Sequence, residues 1–309
     1  MSSDKFKKYT SIENHYQEGF IMRCPEGNYT WCITEKIHGA NFQVYFDGEN
    51  FLIGSRNRFL NTTDSFYGLQ DLVENIKHRI IDFYQEYAYD KPFELVLFGE
   101  VYGDGIQKGI RYCKDHKIRF FDMKINGEYV PYKSAVEVFE RYELPYIPVK
   151  KLEFGRIYNV VRAADTRFNS TIAEGEYADL KENLCEGVVI KPYEVELKSQ
   201  KGDRVIIKKK NEEFFEKSHT PKAKVKDDRF VDYKADENAV MVYINQNRFD
   251  SVFSKDQYIK TNFGDFIKAY TDDVVEDAAK DNVEFKNIKN IHNIIARTTK
   301  VEYFNRVAA

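Results

Sequence analysis

From Trp31 to Val205 the apolar positions fall in short runs rich in β-branched and aromatic side chains. They are Trp31-Cys32-Ile33-Thr34, Phe42-Gln43-Val44-Tyr45-Phe46, Phe51-Leu52-Ile53-Gly54, Glu94-Leu95-Val96-Leu97-Phe98, Ile118-Arg119-Phe120-Phe121-Asp122, Gly187-Val188-Val189-Ile190 and Arg204-Val205-Ile206-Ile207-Lys208. Such runs predict strands, and Asp47-Gly48 and Asp104-Gly105 supply turn dipeptides between them. Helical spacing intervenes, as from Asp71 to Ala88, where Leu72, Ile76, Ile80 and Phe83 share one face. After Lys226 the pattern changes. Phe263, Phe266, Ile267, Tyr270 and Val274 repeat at helical spacing, as do Ile288, Ile291 and Ile295, and Val240, Met241 and Ile244 open an earlier helix. The pattern predicts an α+β domain with largely antiparallel sheets over residues 1–225. A small all-helical domain follows over 226–309, with the boundary in the basic, proline-containing stretch Ser218 to Asp228.

Composition narrows the classes. The 309 residues are 42% hydrophobic, 31% charged and 15% aromatic, enough to build a sizeable core. The first residues are polar, and no run approaches the ~18 apolar residues of a membrane helix, so a cytoplasmic protein without membrane contact is expected. Cys24, Cys32, Cys113 and Cys185 are far apart without a C-x-x-C pair, and the six histidines lack any H-E-x-x-H spacing. Disulfides and zinc are therefore disfavoured, and any metal is expected to be a hard cation held by carboxylates and phosphates. The net charge of −3 hides a local basic stretch: Lys198 to Lys226 holds ten Lys/Arg against four Asp/Glu, enough to attract phosphates.

The candidate chemistry begins at Thr34-Glu35-Lys36-Ile37-His38-Gly39-Ala40-Asn41-Phe42, which sets one lysine near a glycine inside a strand-like region. A lysine that bonds covalently to a nucleotide needs a fixed amine, a backbone that admits phosphates, and neighbours that favour its neutral form. In Val205-Ile206-Ile207-Lys208-Lys209-Lys210, strand alternation puts 208 and 210 on one face and Lys209 on the other. Four further segments fall in order: Gly54-Ser55-Arg56-Asn57-Arg58, Leu97-Phe98-Gly99-Glu100, Phe120-Phe121-Asp122 and Glu186-Gly187-Val188-Val189-Ile190-Lys191.

Together with Phe6-Lys7-Lys8-Tyr9-Thr10-Ser11-Ile12-Glu13-Asn14-His15-Tyr16, these segments resemble the RNA ligase 2 family (phage double-stranded RNA ligases and kinetoplastid editing ligases). That family belongs to the covalent nucleotidyltransferase superfamily. The resemblance covers the first ~225 residues as one domain and extends more weakly into the helical tail. It implies an ATP-grasp-like ligase domain built on antiparallel sheets, and an ATP-dependent RNA ligase that seals 3′-OH/5′-phosphate breaks through a lysyl–AMP intermediate; the Asn-, Lys- and Tyr-rich composition suits a phage gene. The implied partner is nicked double-stranded RNA or an RNA–DNA hybrid, the implied cofactors ATP and Mg²⁺ with Mn²⁺ as a substitute, and the default state a monomer in the cytoplasm, of the host for a viral protein. By the resemblance Lys36 is the nucleophile. Glu35 and Ile37 offer backbone to adenine, His38 and Asn41 line the phosphate side, and Arg56, with Arg58 as a rival, meets ribose and phosphate. Glu100 holds the ribose hydroxyls. Phe121, favoured over Phe120, stacks on adenine beside Asp122. Glu186, with Glu100, positions the metal, Lys208 and Lys210 neutralise the α-phosphate and with the bound Mg²⁺ favour the neutral Lys36 amine, and Lys209 is left solvated or facing RNA. The competing readings are a DNA ligase or capping guanylyltransferase, which usually carry K-x-D-G where this chain has His38 as the third residue, and a non-catalytic RNA-binding relative.

Overall fold

The computed structural model describes residues 5–89, 91–214, 239–255 and 257–308. The chain divides into two compact units, Met1–Asn211 and Glu212–Ala309. The boundary expected at 225/226, and the stretch Ser218 to Asp228 that suggested it, lie outside the described residues.

In the first unit the elements run β1 (Glu13–Asn14), α1 (Glu18–Ile21), β2 (Tyr29–Glu35), β3 (Ala40–Phe46), β4 (Phe51–Ser55), α2 (Leu69–Glu74), α3 (Lys77–Ala88) and β5 (Leu95–Tyr102). They continue with β6 (Lys117–Ile125), β7 (Glu128–Tyr129), α4 (Tyr132–Arg141), β8 (Val149–Gly155), α5 (Ile157–Ala163), β9 (Gly187–Pro192) and β10 (Ile207–Lys210). One sheet has the order β1-β10-β9-β2-β8, the other β4-β3-β5-β6-β7. All pairings are antiparallel except β1 with β10, where Glu13 and Asn14 lie opposite Ile207 and Lys208. The helix expected over 71–88 is two helices, since Ile76 leaves helical geometry at φ −116, ψ 2 between them.

Strand alternation assigns each face. On β3, Phe42, Val44 and Phe46 join Leu69, Val73, Ile80, Phe83, Val136 and Phe139 in the core beneath α2–α4. Tyr45, on the opposite face, clusters with Tyr9, Val96, Phe98 and Ile206. In the first sheet Trp31, Ile33, Val188, Ile190 and Ile207 pack with α1 and α5. The faces left over by these two helical layers meet around Tyr9 and Ile206.

A buried ionic cluster lies at that meeting. Asp122 on β6 is fully buried and pairs with Lys191 at 2.9 Å and with Arg204 at 2.7 and 3.0 Å, while the Tyr9 hydroxyl also donates to it. Arg204 continues to Glu196 at 2.7 Å. The Lys191 ammonium lies 3.6 Å from the Tyr132 ring centroid and the Arg204 guanidinium 3.6 Å from that of Tyr129. Arg204, counted from sequence within the phosphate-attracting basic stretch, is thus a buried structural cation.

The second unit is helical among its described residues: α6 (Gln246–Ser254), α7 (Gln257–Thr261), α8 (Phe263–Lys280) and α9 (Ile288–Ala308). Phe266, Ile267, Tyr270 and Val274 pack with Ile291, Ile295 and Tyr303, largely the faces that helical spacing predicted, but Ile288, at the first residue of α9, is exposed. The earlier helix expected to open at Val240, Met241 and Ile244 breaks after Met241, and α6 starts anew at Gln246. Its signal is a cap: the Asn245 side chain accepts from the Arg248 N–H at 3.0 Å. Asn262 caps α8 in the same way. No helix among the described residues is long and apolar enough to cross a membrane.

Burial pushes the Asp122 carboxyl up, but Arg204 and Lys191 outweigh it and hold the group far below the usual carboxylate range. A depressed carboxyl contributes stability above its unfolded value of ~3.9, and that contribution fades as pH falls toward the folded value. Asp122→Asn leaves two buried cations underpaired and is expected to cost about 3–5 kcal/mol at pH 7 by urea unfolding. The gap to wild type should narrow below about pH 4. A variant within about 1 kcal/mol of wild type at pH 7 would show the cluster to be dispensable.

Candidate active site

β2 and β3 are joined by Lys36–Gly39, and the site forms on this crossing. The Lys36 N–H donates to Gly187 O at 2.9 Å, tying it to the start of β9. Its Nζ lies 2.7 Å from Glu186 Oε2, and Lys210 Nζ lies 2.9 Å from Oε1 of the same carboxylate. His38 Nδ1 is 3.4 Å from Glu186 Oε2. Glu186 is 1% exposed. Burial alone would raise its carboxyl, but the Lys210 and Lys36 ammonium groups, with His38, hold it well below the ordinary range. A buried carboxylate between two ammonium groups is therefore the electrostatic centre.

Two glycines let the backbones close around it. A Cβ on Gly39 would lie 2.3 Å from Val101 O, and one on Gly187, whose φ is +147°, would lie 2.1 Å from Lys209 O. Asn211, directly after Lys210, locks the strand ends: its N–H donates to Glu186 O at 2.8 Å, and its Nδ2 donates to Cys185 O at 2.6 Å and Thr166 O at 2.7 Å.

Glu100 on β5 faces Asn41 across the ladder and receives the Gly39 N–H. Burial raises its carboxyl to about 7, with Lys36 and Arg56 opposing the rise and Glu186 adding to it. This separates the two arginines left open by the sequence. Arg58 is committed to Asp64 at 2.7 Å and to Phe59 O at 2.9 Å, whereas Arg56 bears on Glu100.

Glu35 turns away from Lys36. Its buried carboxylate accepts from Ser170 Oγ at 2.5 Å, from the Thr171 N–H at 2.6 Å and from Thr171 Oγ1 at 2.8 Å. Its side chain is thus committed to the Ser170–Thr171 loop. Ile37 is 2% exposed. Phe121 is the extra residue of a bulge: Phe98 pairs with Asp122 and Gly99 with Phe120, so 121 has no partner. Phe120 goes to the helical core, while Phe121 packs edge-on against Tyr9 at 5.1 Å. Asp122, expected beside the nucleotide, spends its carboxylate inside the ionic cluster.

On β10 Lys210 reaches Glu186, with Lys208 two residues away on the same face. Lys209, expected to be solvated or facing RNA, donates instead to the carbonyls of Val161 (3.0 Å), Arg162 (3.3 Å) and Ala164 (2.8 Å) at the end of α5. Sequence reading missed Ser170, Thr171, Asn211, Gln107 and Tyr112. Gln107 Nε2 donates to Gly39 O at 3.2 Å, and the Tyr112 hydroxyl accepts the His38 N–H at 2.8 Å. They lie in loops or past a strand end, where no periodicity marks them.

Among the described residues no group of three or more His, Cys, Asp and Glu side chains converges as a metal cage. Glu186 and Glu100 both act on Lys36, and a hard divalent cation is commonly held by one or two carboxylates plus substrate phosphates. That donor set fits Mg²⁺ or Mn²⁺ arriving with a nucleotide.

Two facing, largely antiparallel sheets, with a lysine and a buried glutamate at their junction, make up the candidate site. The RNA ligase family model matches residues 29–210, and the chain belongs to that family. The mitochondrial RNA-editing ligase 2 of Trypanosoma brucei brucei is 25% identical over 230 residues, covering 60% of this chain and 55% of that protein. The chain thus spans little more than half the length of this curated relative. Structures of Naegleria gruberi RNA ligase, one of a mutant without ligand and one of a mutant with ATP and Mn, each superpose with a TM-score of 0.51 at 16% identity. Each covers 69% of this chain and 58% of the other, a likeness of fold.

The raised Glu100 carboxyl has a measurable sign. Its protonated form is favoured by the fold, so its contribution is full below the unfolded ~4.3 and is lost as pH rises through about 7. Glu100→Gln is expected to retain on the order of 2 kcal/mol that wild type loses between pH 5 and 8. Urea unfolding at the two pH values checks this; parallel losses in both proteins would refute the assignment.

Proposed function

We propose that this chain is an ATP-dependent RNA ligase that works through a lysyl–AMP intermediate. The observation that carries the reading is the single buried carboxylate, Glu186, bridged to both Lys36 and Lys210. Family membership supports the substrate class. Adenine stacks on Phe121 and meets the backbone at Glu35 and Ile37, the ribose hydroxyls meet Glu100, and Arg56, His38 and Asn41 line the phosphates. Asp122 supports Phe121 from within the ionic cluster and does not touch the nucleotide.

Lys36 Nζ, as the free amine, attacks the α-phosphorus of ATP; the N–P bond forms, the bond to pyrophosphate breaks, and the amine's proton is released. Lys208 and Lys210 hold the α-phosphate charge. AMP then passes to an RNA 5′-phosphate, which restores Lys36, and a 3′-hydroxyl displaces AMP to seal the strand. Mg²⁺, or Mn²⁺ in its place, would be held by Glu186 and Glu100 and would neutralise phosphate charge. The chain's own share is positioning and charge complementarity. Nicked duplex RNA, or an RNA–DNA hybrid, is the substrate proposed, gripped in part by the helical unit.

Wild-type protein should take up label from α-labelled ATP, and Lys36→Ala should lose at least about a thousandfold of that activity, since the nucleophile is gone. Label retained by Lys36→Ala would overturn the assignment. In a companion assay, nicks with an RNA 3′-hydroxyl strand should seal and matched nicks with a DNA 3′-hydroxyl strand should not. Equal sealing of both would point to a DNA ligase, and label from GTP in preference to ATP to a capping enzyme.

A further inference from the structure

Tyr112 belongs to none of the motifs legible in the sequence. It is 2% exposed, and its ring packs edge-to-face on Tyr102, the last residue of β5, with centroids 5.3 Å apart. The loop that carries it is pinned on every side. Its own carbonyl accepts the Glu174 N–H at 2.7 Å. Asn183 brackets the preceding residue, accepting the Arg111 N–H at 2.9 Å and donating to Arg111 O at 2.7 Å. The next residue, Cys113, accepts the Asp104 N–H at 3.0 Å. Two side chains of this loop reach the nucleophile segment: Gln107 Nε2, which donates to Gly39 O at 3.2 Å, and the Tyr112 hydroxyl, 2.8 Å from the His38 N–H. Burial, reinforced by Glu35, Glu186 and Glu100 nearby, keeps the group a neutral phenol.

The His38 peptide lies two residues from the nucleophile, and the His38 ring faces Glu186 at 3.4 Å, the carboxylate that holds Lys36. We propose that Tyr112 is a positioning residue for the attack of Lys36: its hydroxyl fixes the His38 peptide, and through it the His38 ring, Glu186 and the lysine amine. This rests on the ligase reading above. A buried N–H that loses its acceptor is strongly penalised, and the peptide relieves it by turning. Such a turn swings the segment on both sides, and small misplacements of reacting atoms are costly in rate. A tyrosine that merely fills the core would tolerate phenylalanine, which keeps the ring and its contact with Tyr102.

The test is Tyr112→Phe beside wild type. Wild type is first labelled with α-labelled ATP; no label at this stage refutes the ligase reading itself, independently of Tyr112. Given a labelling wild type, the variant is expected to form lysyl–AMP about tenfold more slowly at saturating ATP, with KM within about threefold. Its thermal midpoint should stay within about 2 °C of wild type. Sealing of a nick whose 5′-phosphate already carries AMP, a step in which Lys36 is not the nucleophile, should stay within about threefold. Lysyl–AMP formation at the wild-type rate would overturn the proposal. So would equal losses in both steps, whether through a lower thermal midpoint or through damage to the whole site.

Discussion

The buried carboxylate of Glu186 is the interaction on which the rest of this site depends. An ionised group at 1% exposure is tolerated only when paired, and its partners come from two separate stretches of chain, the β2–β3 crossing and β10. Bringing them together requires that β9 and β10 run side by side, that Gly187 let the Lys209 carbonyl approach, and that Asn211 close the end of the strand. The demands of one charge thus set local backbone conformation at three places. The same charge holds Lys36, the proposed nucleophile, in an ion pair that an incoming phosphate would compete to replace.

A second charge, Asp122, does for the sheets what Glu186 does for the site. Lys191 and Arg204 come from the first sheet and the segment leading into it, Asp122 from the second, and Tyr9 from the chain ahead of β1. The bulge between Phe98 and Gly99 gives Phe121 and Asp122 adjoining places near Tyr9 with different tasks, one offering a ring and the other a carboxylate. Removing the bulge would send one of them to the opposite face. Sheet register and the candidate base-stacking ring are therefore coupled.

How much was legible follows from which interactions are periodic. Strand runs and helix faces were readable because burial repeats every two or about 3.6 residues, and the alternation of Lys208, Lys209 and Lys210 separated their directions. The destination of Lys209 was not readable, because the carbonyls of Val161, Arg162 and Ala164 are a property of where α5 ends. The split at Ile76 was hidden by a continuous apolar face, and α6 by a weak face whose real signal was one asparagine cap. Ser170, Thr171, Tyr112 and Asn211 were invisible for a common reason: each makes a long-range polar contact from a loop or strand end. A single sequence records their presence without their partners.

The parallel pairing of β1 with β10 has a consequence for how the molecule comes into being. Glu13 lies opposite Ile207, so the strand bearing Lys208 and Lys210 gains its outer neighbour only by closing a loop of roughly 190 residues, a slow and entropically costly event. Lys36 likewise waits for Glu186. During synthesis Lys36 leaves the ribosome long before Glu186 and Lys210 exist as structure. The candidate site therefore cannot form until nearly all of the first unit has been made, and a partly made chain holds Lys36 without its ion-pair partner.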